Sequence, residues 1–228
     1  MLADRSFHAG KSVLMDNGEQ RMQFLRGAQF RRQSNPFDDP DWLFELKLGG
    51  CRALALVAKG KVSLVSRTGA SLNGFGHLAQ QIARSLPVTD AILDGEIAVP
   101  DKAGRTIWTQ CRTHRREAWF YAFDLLWLNG QDLRATPLLT RKERLKILIG
   151  KSSLRLGIVP YVVEHGTVLY GLACEKNLAG ITAKRADHPY PQDDQKPLWV
   201  VIKNPCYNHK KGGVEQVNHD NKPPSFNH

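Results

Sequence analysis

The sequence lacks the features that mark a membrane-spanning, exported or zinc-binding chain. Its four cysteines, at positions 51, 111, 174 and 206 of 228 residues, include no C-x-x-C pair. This spacing excludes a zinc site and a dense disulfide framework and favours free thiols in a reducing compartment. The most apolar segment, residues 118–128, is too short for a membrane helix and contains Asp124. Residues 1–15 lack the apolar run of an export signal, so we expect a cytoplasmic chain with no membrane partner.

Acidic residues are also few relative to basic ones. The chain has 32 Lys and Arg against 22 Asp and Glu, a formal net charge of +10. Such an excess favours an anionic partner, for example a nucleic acid, a nucleotide or an acidic membrane surface. Hydrophobic residues make up 42% and charged residues 24%, which is typical of a folded globular protein and excludes a low-complexity chain.

Composition divides the chain into three parts. Residues 1–40 form a polar, basic lead-in that ends in the turn-rich run N-P-F-D-D-P, and residues 41–204 carry the alternating apolar segments of a folded domain. The tail, residues 205–228, is rich in Asn, His, Lys, Gly and Pro, and we expect it to be disordered because it cannot bury enough apolar area.

Short apolar runs alternate with a few segments of helical spacing. The runs predict strands over residues 42–48, 52–58, 61–66, 91–99, 118–128, 158–163, 180–184 and 198–203, with tight turns at Lys59-Gly60 and Asn129-Gly130. Helices are predicted over 77–86, 140–149 and 167–178. In the second helix the apolar stripe leaves four basic residues for the solvent side: Arg141, Lys142, Arg144 and Lys146. This order predicts an α+β fold with mainly antiparallel sheets and flanking helices.

A lysine at the end of one predicted strand is the first candidate for chemistry. Lys47 precedes the pair Gly49-Gly50 and lies five positions before Arg52. A lysine acts as a nucleophile when its amine is neutral, and burial and nearby cations lower its pKa in that direction. Arg52 would supply such a cation and would also suit a phosphate. A lysine that merely extends to water, beside glycines that serve a turn, fits the same segment.

Further segments follow Lys47 in a characteristic order. They are S-R-T-G at 66–69, L-D-G-E at 93–96, F-Y-A-F-D-L-L at 120–126, N-G-Q-D-L-R at 129–134, P-L at 137–138 and R-K at 141–142. With K-L-G-G-C-R at 47–52, which matches K-x-D-G-x-R except at Gly49, this set resembles the ATP-dependent DNA ligases, and is most similar to the bacterial ligases of end joining. The resemblance covers about residues 41–204 and implies the nucleotidyltransferase, ATP-grasp-like adenylation domain of that family.

The resemblance implies a reaction and a set of site residues. Lys47 would attack the α-phosphate of ATP and carry AMP, which would pass to a DNA 5′-phosphate before a 3′-hydroxyl seals the nick. The implied ATP-binding residues are Glu45, Arg52, Arg67, Glu96, Phe123, Lys184 and Lys203. Phe123 would stack on the adenine, Glu45 would help to recognise it, and Glu96 would bind ribose hydroxyls or position Mg²⁺. Taken singly, Phe123 also suits a strand core, and Glu96 suits a turn after Asp94-Gly95.

The same resemblance implies partners and a place of action. These are nicked or broken double-stranded DNA, other end-joining or repair proteins, a role in DNA repair or recombination, and a bacterial cytoplasm near the nucleoid.

Four positions depart from the family pattern, and one of them is Gln195, where the pattern has an arginine four residues before Trp199. Gly49 stands in place of the aspartate, Ala179 in place of the glutamate of E-G-(I/V)-x-x-K, and Val201 in place of the first lysine of W-x-K-x-K. The tail after Lys203 also leads us to expect no OB-fold domain. These departures predict that adenylation and sealing are weak or lost.

Two other functions remain open on the sequence. A non-catalytic DNA-binding module would use the net charge and the basic residues Arg112, Arg115, Arg116, Arg141, Lys142 and Arg144. RNA end joining or capping chemistry would use the same scaffold, although the similarity of residues 120–141 to the bacterial DNA ligases favours DNA.

Overall fold

A computed structural model describes residues 30–101, 105–106, 110–150, 155–191 and 198–207. Most of the predicted lead-in and tail, residues 1–29 and 208–228, lies outside this part. The strands are β1 (Arg31–Gln33), β2 (Asp39–Leu46), β3 (Cys51–Ala58), β4 (Lys61–Ser66), β5 (Asp90–Ala98), β6 (Trp119–Leu128), β7 (Gln131–Asp132), β8 (Leu156–Ile158), β9 (Tyr161–Glu164), β10 (Gly180–Arg185) and β11 (Trp199–Lys203). The helices are α1 (Gly76–Ser85), α2 (Gln110–Thr113), α3 (Leu138–Ile149) and α4 (Gly166–Glu175).

The strands form two sheets. The first has five strands in the order β1-β11-β10-β2-β9, antiparallel except for the parallel pair β1 and β11. The second has the order β4-β3-β5-β6-β7, all antiparallel, and β8 pairs in parallel with β6. The predicted α+β class with mainly antiparallel sheets is confirmed.

Local sequence explains the tight turns of the second sheet. The hairpin between β3 and β4 turns at Lys59 and Gly60, with φ of 49° and 74°, and that between β6 and β7 turns at Asn129 and Gly130, with φ of 45° and 84°. Two successive residues with positive φ match the twist of the flanking strands, and Asn and Gly adopt this conformation most easily. Both predicted turns are confirmed.

Three apolar layers hold the sheets and helices together. Leu78 and Ile82 of α1, with Leu145 of α3, pack on one face of the six-stranded sheet. Helix α4 covers the outer face of the five-stranded sheet through Ala173. The third layer lies between the sheets and includes Trp199. A cavity opens in this middle layer.

Two differences from the sequence prediction change the topology. The strand expected at residues 158–163 is two strands, β8 and β9, in different sheets. The chain crosses between the sheets at Val159 and Pro160, because proline has no amide hydrogen to continue a ladder. Residues 31–33, expected in a peripheral lead-in, form β1 and pair with β11. Within the residues described, no helix is long and apolar enough to cross a membrane.

Candidate active site

A cavity of about 220 Å³ lies between the two sheets. The five-stranded sheet and the loop after β2 supply one wall, and β3, β5 and β6 supply the other. The lining residues are Phe30, Glu45, Leu46, Lys47, Leu48, Gly50, Arg52, Glu96, Phe123, Val159, Thr182, Lys184 and Val201. Six of the eight residues named by the resemblance are in this set: Lys47, Glu45, Arg52, Glu96, Phe123 and Lys184.

Backbone hydrogen bonds hold the loop that carries Lys47. The amide of Lys47 donates to the carbonyl oxygen of Gly180 at 2.9 Å, which continues the pairing of β2 with β10. The amide of Gly49 donates to Thr106 Oγ1 at 2.8 Å, and the amide of Gly50 donates to Glu96 Oε1 at 2.6 Å. Lys47 Nζ donates to the carbonyl of Leu48 at 3.1 Å, and Lys47 is one of the lining residues.

Glu96 is a carboxylate of unusual basicity. Burial raises its pKa to about 6, although Lys47, the amide of Gly50, Arg52 and Lys184 all act in the opposite direction. It lies within β5, opposite Arg52 of β3, and therefore not in the turn that the preceding Asp94-Gly95 suggested. Within the described chain Glu96 forms no salt bridge, which leaves its charge available to a ligand.

Glu45 is buried between two ammonium groups. Lys142 Nζ donates to its Oε1, and Lys184 Nζ lies 2.7 Å from its Oε2. Burial alone would raise the pKa of Glu45, but the two lysines outweigh that effect and hold the pKa below its ordinary value. Burial, together with the charge of Lys142, lowers the pKa of Lys184 to about 8 despite the attraction of Glu45. The cluster therefore contains two lysines for one carboxylate.

Arg52 has a fixed partner of its own. Its Nε and NH2 groups donate to the two oxygens of Asp94, at 3.1 and 2.6 Å, and NH2 also donates to the hydroxyl of Tyr190. This forked pair occupies the guanidinium edge that would otherwise face a phosphate. The group also lies 5.6 Å from the ring centre of Phe123. Arg52 lines the cavity, but its charge is largely neutralised by Asp94.

Aromatic rings form the apolar part of the wall. Phe123 and Trp199 meet edge to face with ring centres 6.0 Å apart, and Phe30 lies 5.2 Å from Trp199. Lys184 Nζ sits 4.0 Å from the ring centre of Phe123. Phe123 thus faces both the cavity and a buried cation, a position that suits a planar ligand ring.

Two predicted site residues lie outside the cavity lining. Arg67 is exposed in the turn after β4. Lys203 is exposed at the end of β11, where the alternation of the strand places it on the same face as Trp199 and Val201.

Three of the positions that depart from the family pattern lie within the described residues, and they have different surroundings; Gln195 lies outside the described residues. Val201 lines the cavity, whereas Ala179 is buried directly before β10, and its carbonyl accepts a hydrogen bond from the amide of Asn204 at 3.2 Å. Gly49 leaves no room for a side chain, because a Cβ there would lie 2.5 Å from the carbonyl oxygen of Thr106.

Sequence reasoning placed Arg141 and Lys142 on the solvent side of a helix, and this prediction is wrong. Arg141 is completely buried, and its Nε and NH2 groups donate to the carboxylate of Asp124 at 2.7 and 2.9 Å. Lys142 points into the middle layer toward Glu45 and the carbonyl of Phe123. The lone acid in the apolar run 118–128 was the available signal, since a buried carboxylate requires a cationic partner.

The described residues do not build a resident Mg²⁺ site by themselves. No group of three or more His, Cys, Asp or Glu side chains gathers there, and the remaining lining carboxylate, Glu45, is occupied by two lysines. Glu96 could contribute one oxygen to a cation that is held mainly by substrate phosphates, which is a common way for Mg²⁺ to bind.

Comparison with known proteins gives a consistent result. Residues 26–203 match the family model described as the ATP dependent DNA ligase domain. The multifunctional non-homologous end joining DNA repair protein LigD of Mycobacterium tuberculosis is 32% identical over 166 residues, 72% of this chain and 22% of that protein. LigD of Pseudomonas aeruginosa is 29% identical over 170 residues, 72% of this chain and 20% of that protein. The chain thus spans about a fifth of the length of these curated relatives.

A solved structure of similar fold is the mycobacterial DNA ligase D complexed with ATP and MES. It superposes with a TM-score of 0.65 at 27% identity, over 79% of this chain and 61% of that one.

Proposed function

The chain belongs to the ATP-dependent DNA ligase family, and we propose that it binds ATP in the cavity between its sheets and carries AMP on Lys47. The observation that supports this proposal is the gathering of Lys47, Glu45, Glu96 and Phe123 around one cavity. A ring, a nucleophilic amine and cations that suit phosphate are the groups that a nucleotidyl transfer to lysine requires.

The proposed step breaks one phosphoanhydride bond. The neutral amine of Lys47 forms a nitrogen–phosphorus bond to the α-phosphorus of ATP, and the bond to the bridging oxygen breaks. Pyrophosphate leaves with that electron pair, and the attacking nitrogen loses its proton to solvent. The surplus charge shared by Lys142 and Lys184 would stabilise the negative charge that builds on the α-phosphate.

The remaining residues receive positioning roles. Phe123 would stack on the adenine. Glu45 would help to recognise the adenine and would hold the two lysines in place. Glu96 would bind ribose hydroxyls or a Mg²⁺ ion brought by the phosphates. Arg52 would contribute mainly by packing against the rings, since Asp94 already binds its guanidinium group. Arg67 and Lys203 would reach the ligand only from outside the cavity.

The later steps and the biological setting are also proposals. AMP would pass to a 5′-phosphate of nicked or broken double-stranded DNA, and a 3′-hydroxyl would seal it, in repair or recombination with other end-joining proteins. The adenylation domain would span residues 41–204, with β1 added to it, and would act in the bacterial cytoplasm near the nucleoid.

Covalent labelling tests the first step. The purified chain is incubated with Mg²⁺ and ATP labelled on the α-phosphate, beside the variants Lys47→Ala, Lys47→Arg and Lys176→Ala. We expect label on the parent and on Lys176→Ala, because Lys176 is exposed and forms an ion pair with Glu175, outside the cavity lining. Both Lys47 variants should remain unlabelled, since neither has a nucleophilic amine. Absence of label on the parent would refute the proposed activity.

A second candidate function is binding of DNA without catalysis. Two sets of residues favour this function. The family's charged side chains are absent at Gly49, where a side chain is sterically excluded, and at Ala179 and Val201. Arg115 and Arg116 are exposed and could contact DNA phosphates. The buried Arg141 and Lys142 no longer contribute to such a surface. Binding through backbone phosphates predicts that DNA affinity falls steeply with salt, and a flat salt response would exclude it.

The substrate, DNA or RNA, is tested by comparing the sealing of nicked DNA duplexes with that of nicked RNA duplexes.

A further inference from the structure

The register of the edge strand β1 places one of its arginines beside the cavity. Arg32 pairs with Val201 of β11, while Arg31 pairs with Val200. Side chains at paired positions of neighbouring strands point to the same face of a sheet, and successive residues alternate between faces. Val201 lines the cavity, whereas Val200 packs in the apolar layer under α4. Arg32 therefore belongs to the cavity face, and Arg31 to the opposite face.

An independent contact supports this assignment. Phe30 lies two residues before Arg32, so both share a face, and Phe30 lines the cavity with its ring centre 5.2 Å from that of Trp199. Trp199 in turn lies two residues before Val201 on β11. Phe30 therefore lies beside Trp199 as Arg32 lies beside Val201, and Arg32 is the next side chain after Phe30 on the cavity face of β1.

The charges already present in the cavity leave a need for another cation. Arg52 is paired with Asp94, and Glu45 offsets one of the two charges of Lys142 and Lys184. ATP carries several negative charges on its phosphates, and the nucleophilic amine must itself be neutral. In the family pattern a lysine would stand at position 201, but this chain has Val201 there, directly beside Arg32.

Arg32 has the reach and the freedom to supply that cation. Neighbouring strands lie about 4.8 Å apart, a distance that a fully extended arginine side chain spans. The side chain is exposed, and it forms no salt bridge with any residue that the structure describes. A guanidinium group also suits two-point binding of phosphate oxygens better than an ammonium does.

We propose that Arg32 binds the phosphates of ATP at the cavity rim and replaces the lysine that is missing at Val201. This inference rests on the proposed function, because it names a further phosphate-binding residue of the same site. It assigns the role to a residue in the segment that composition alone placed outside the folded domain.

A series of ligands measured by calorimetry tests the role of Arg32. The full chain and the variants Arg32→Ala, Arg32→Lys and Arg31→Ala are titrated with ATP, AMP and adenosine. Loss of one charged hydrogen-bonding group should weaken ATP binding by roughly tenfold in Arg32→Ala, with a smaller change for AMP and none for adenosine. Arg32→Lys should retain part of the affinity. Arg31→Ala removes the same charge from the opposite face of the strand and should change ATP affinity by less than about twofold.

A transplanted cation provides a second test. In the double variant Arg32→Ala with Val201→Lys, ATP affinity should recover relative to Arg32→Ala alone, provided that thermal unfolding shows an intact fold. Equal losses in Arg31→Ala and Arg32→Ala would overturn the proposal, as would an equal loss of adenosine binding, which would indicate a structural role. Unchanged ATP affinity in Arg32→Ala would overturn it as well. If the parent binds no ATP, the proposed function fails as well, so the two failures are distinguishable.

Discussion

Restoring the aspartate of the family motif at Gly49 should damage this protein. A Cβ at Gly49 would lie 2.5 Å from the carbonyl oxygen of Thr106 and 3.2 Å from the hydroxyl oxygen of Tyr207. The first distance is shorter than any normal carbon–oxygen contact, and the obstacle is backbone, which cannot rotate away. The φ angle of Gly49 is outside the left-handed region, so lack of space, and not backbone conformation, excludes a side chain.

The magnitude follows from the cost of overpacking. Forcing extra atoms into a filled site usually costs about 1 to 3 kcal/mol. Moving Thr106 aside would also weaken the hydrogen bond from the amide of Gly49 to Thr106 Oγ1, now 2.8 Å long. In a chain of this size each kcal/mol lowers the unfolding temperature by about 2 to 4 °C. Gly49→Asp should therefore unfold roughly 2 to 12 °C below the parent.

Thermal unfolding and ATP labelling, performed together, check this prediction. Gly76→Asp is the matched control, because a Cβ at Gly76 meets no atom within 4 Å and an acidic residue suits the first turn of α1. It should unfold at or slightly above the temperature of the parent. A Gly49→Asp variant with unchanged stability and stronger labelling would show that the reasoning is wrong and that the motif aspartate is simply missing.

Three further predictions concern the charged groups of the cavity. The rate of labelling should rise through about pH 6 as Glu96 ionises and fall above about pH 8 as Lys184 loses its charge. In a pH–rate profile, Lys184→Arg should remove the decline at alkaline pH. The pKa of Lys184 is about 8 in the folded chain, against an ordinary value of 10.5. Between these pH values the unfolded chain binds more protons than the folded chain, so the free energy of unfolding should increase with pH. Urea titrations of Lys184→Met should not show that increase. Lys142→Met leaves Glu45 with one cation and should cost about 3 kcal/mol in urea denaturation, whereas the exposed Lys146→Met should cost less than about 0.5 kcal/mol.

Much of the fold was predictable because its signals are local. Runs of apolar residues between glycines marked most of the strands, and the turns at Lys59-Gly60 and Asn129-Gly130 required only the conformational preferences of those pairs. Proline 160 could have indicated that residues 158–163 do not form one strand. The order of motifs also identified six of the thirteen residues that line the cavity, since the family resemblance carries three-dimensional information that periodicity lacks.

The burial of charged residues was not predictable from their own segment. A helical stripe containing Arg141 and Lys142 favours solvent, because isolated charges are costly to bury. Their partners, Asp124 and Glu45, lie 17 and 97 residues away in sequence. Only the packing of α3 against the sheets brings the opposite charges together and makes burial acceptable.

From residue types and spacing alone it was possible to predict most of the strands, the three longer helices, the two tight turns and the family, because each of these depends on signals along the chain. The tertiary structure decided which charges are neutralised and which remain for a ligand. It paired Arg52 with Asp94, filled the space beside Gly49, and set the register that puts Arg32 next to Val201. These features depend on distances between segments far apart in sequence, and electrostatic and steric interactions act through distance in space.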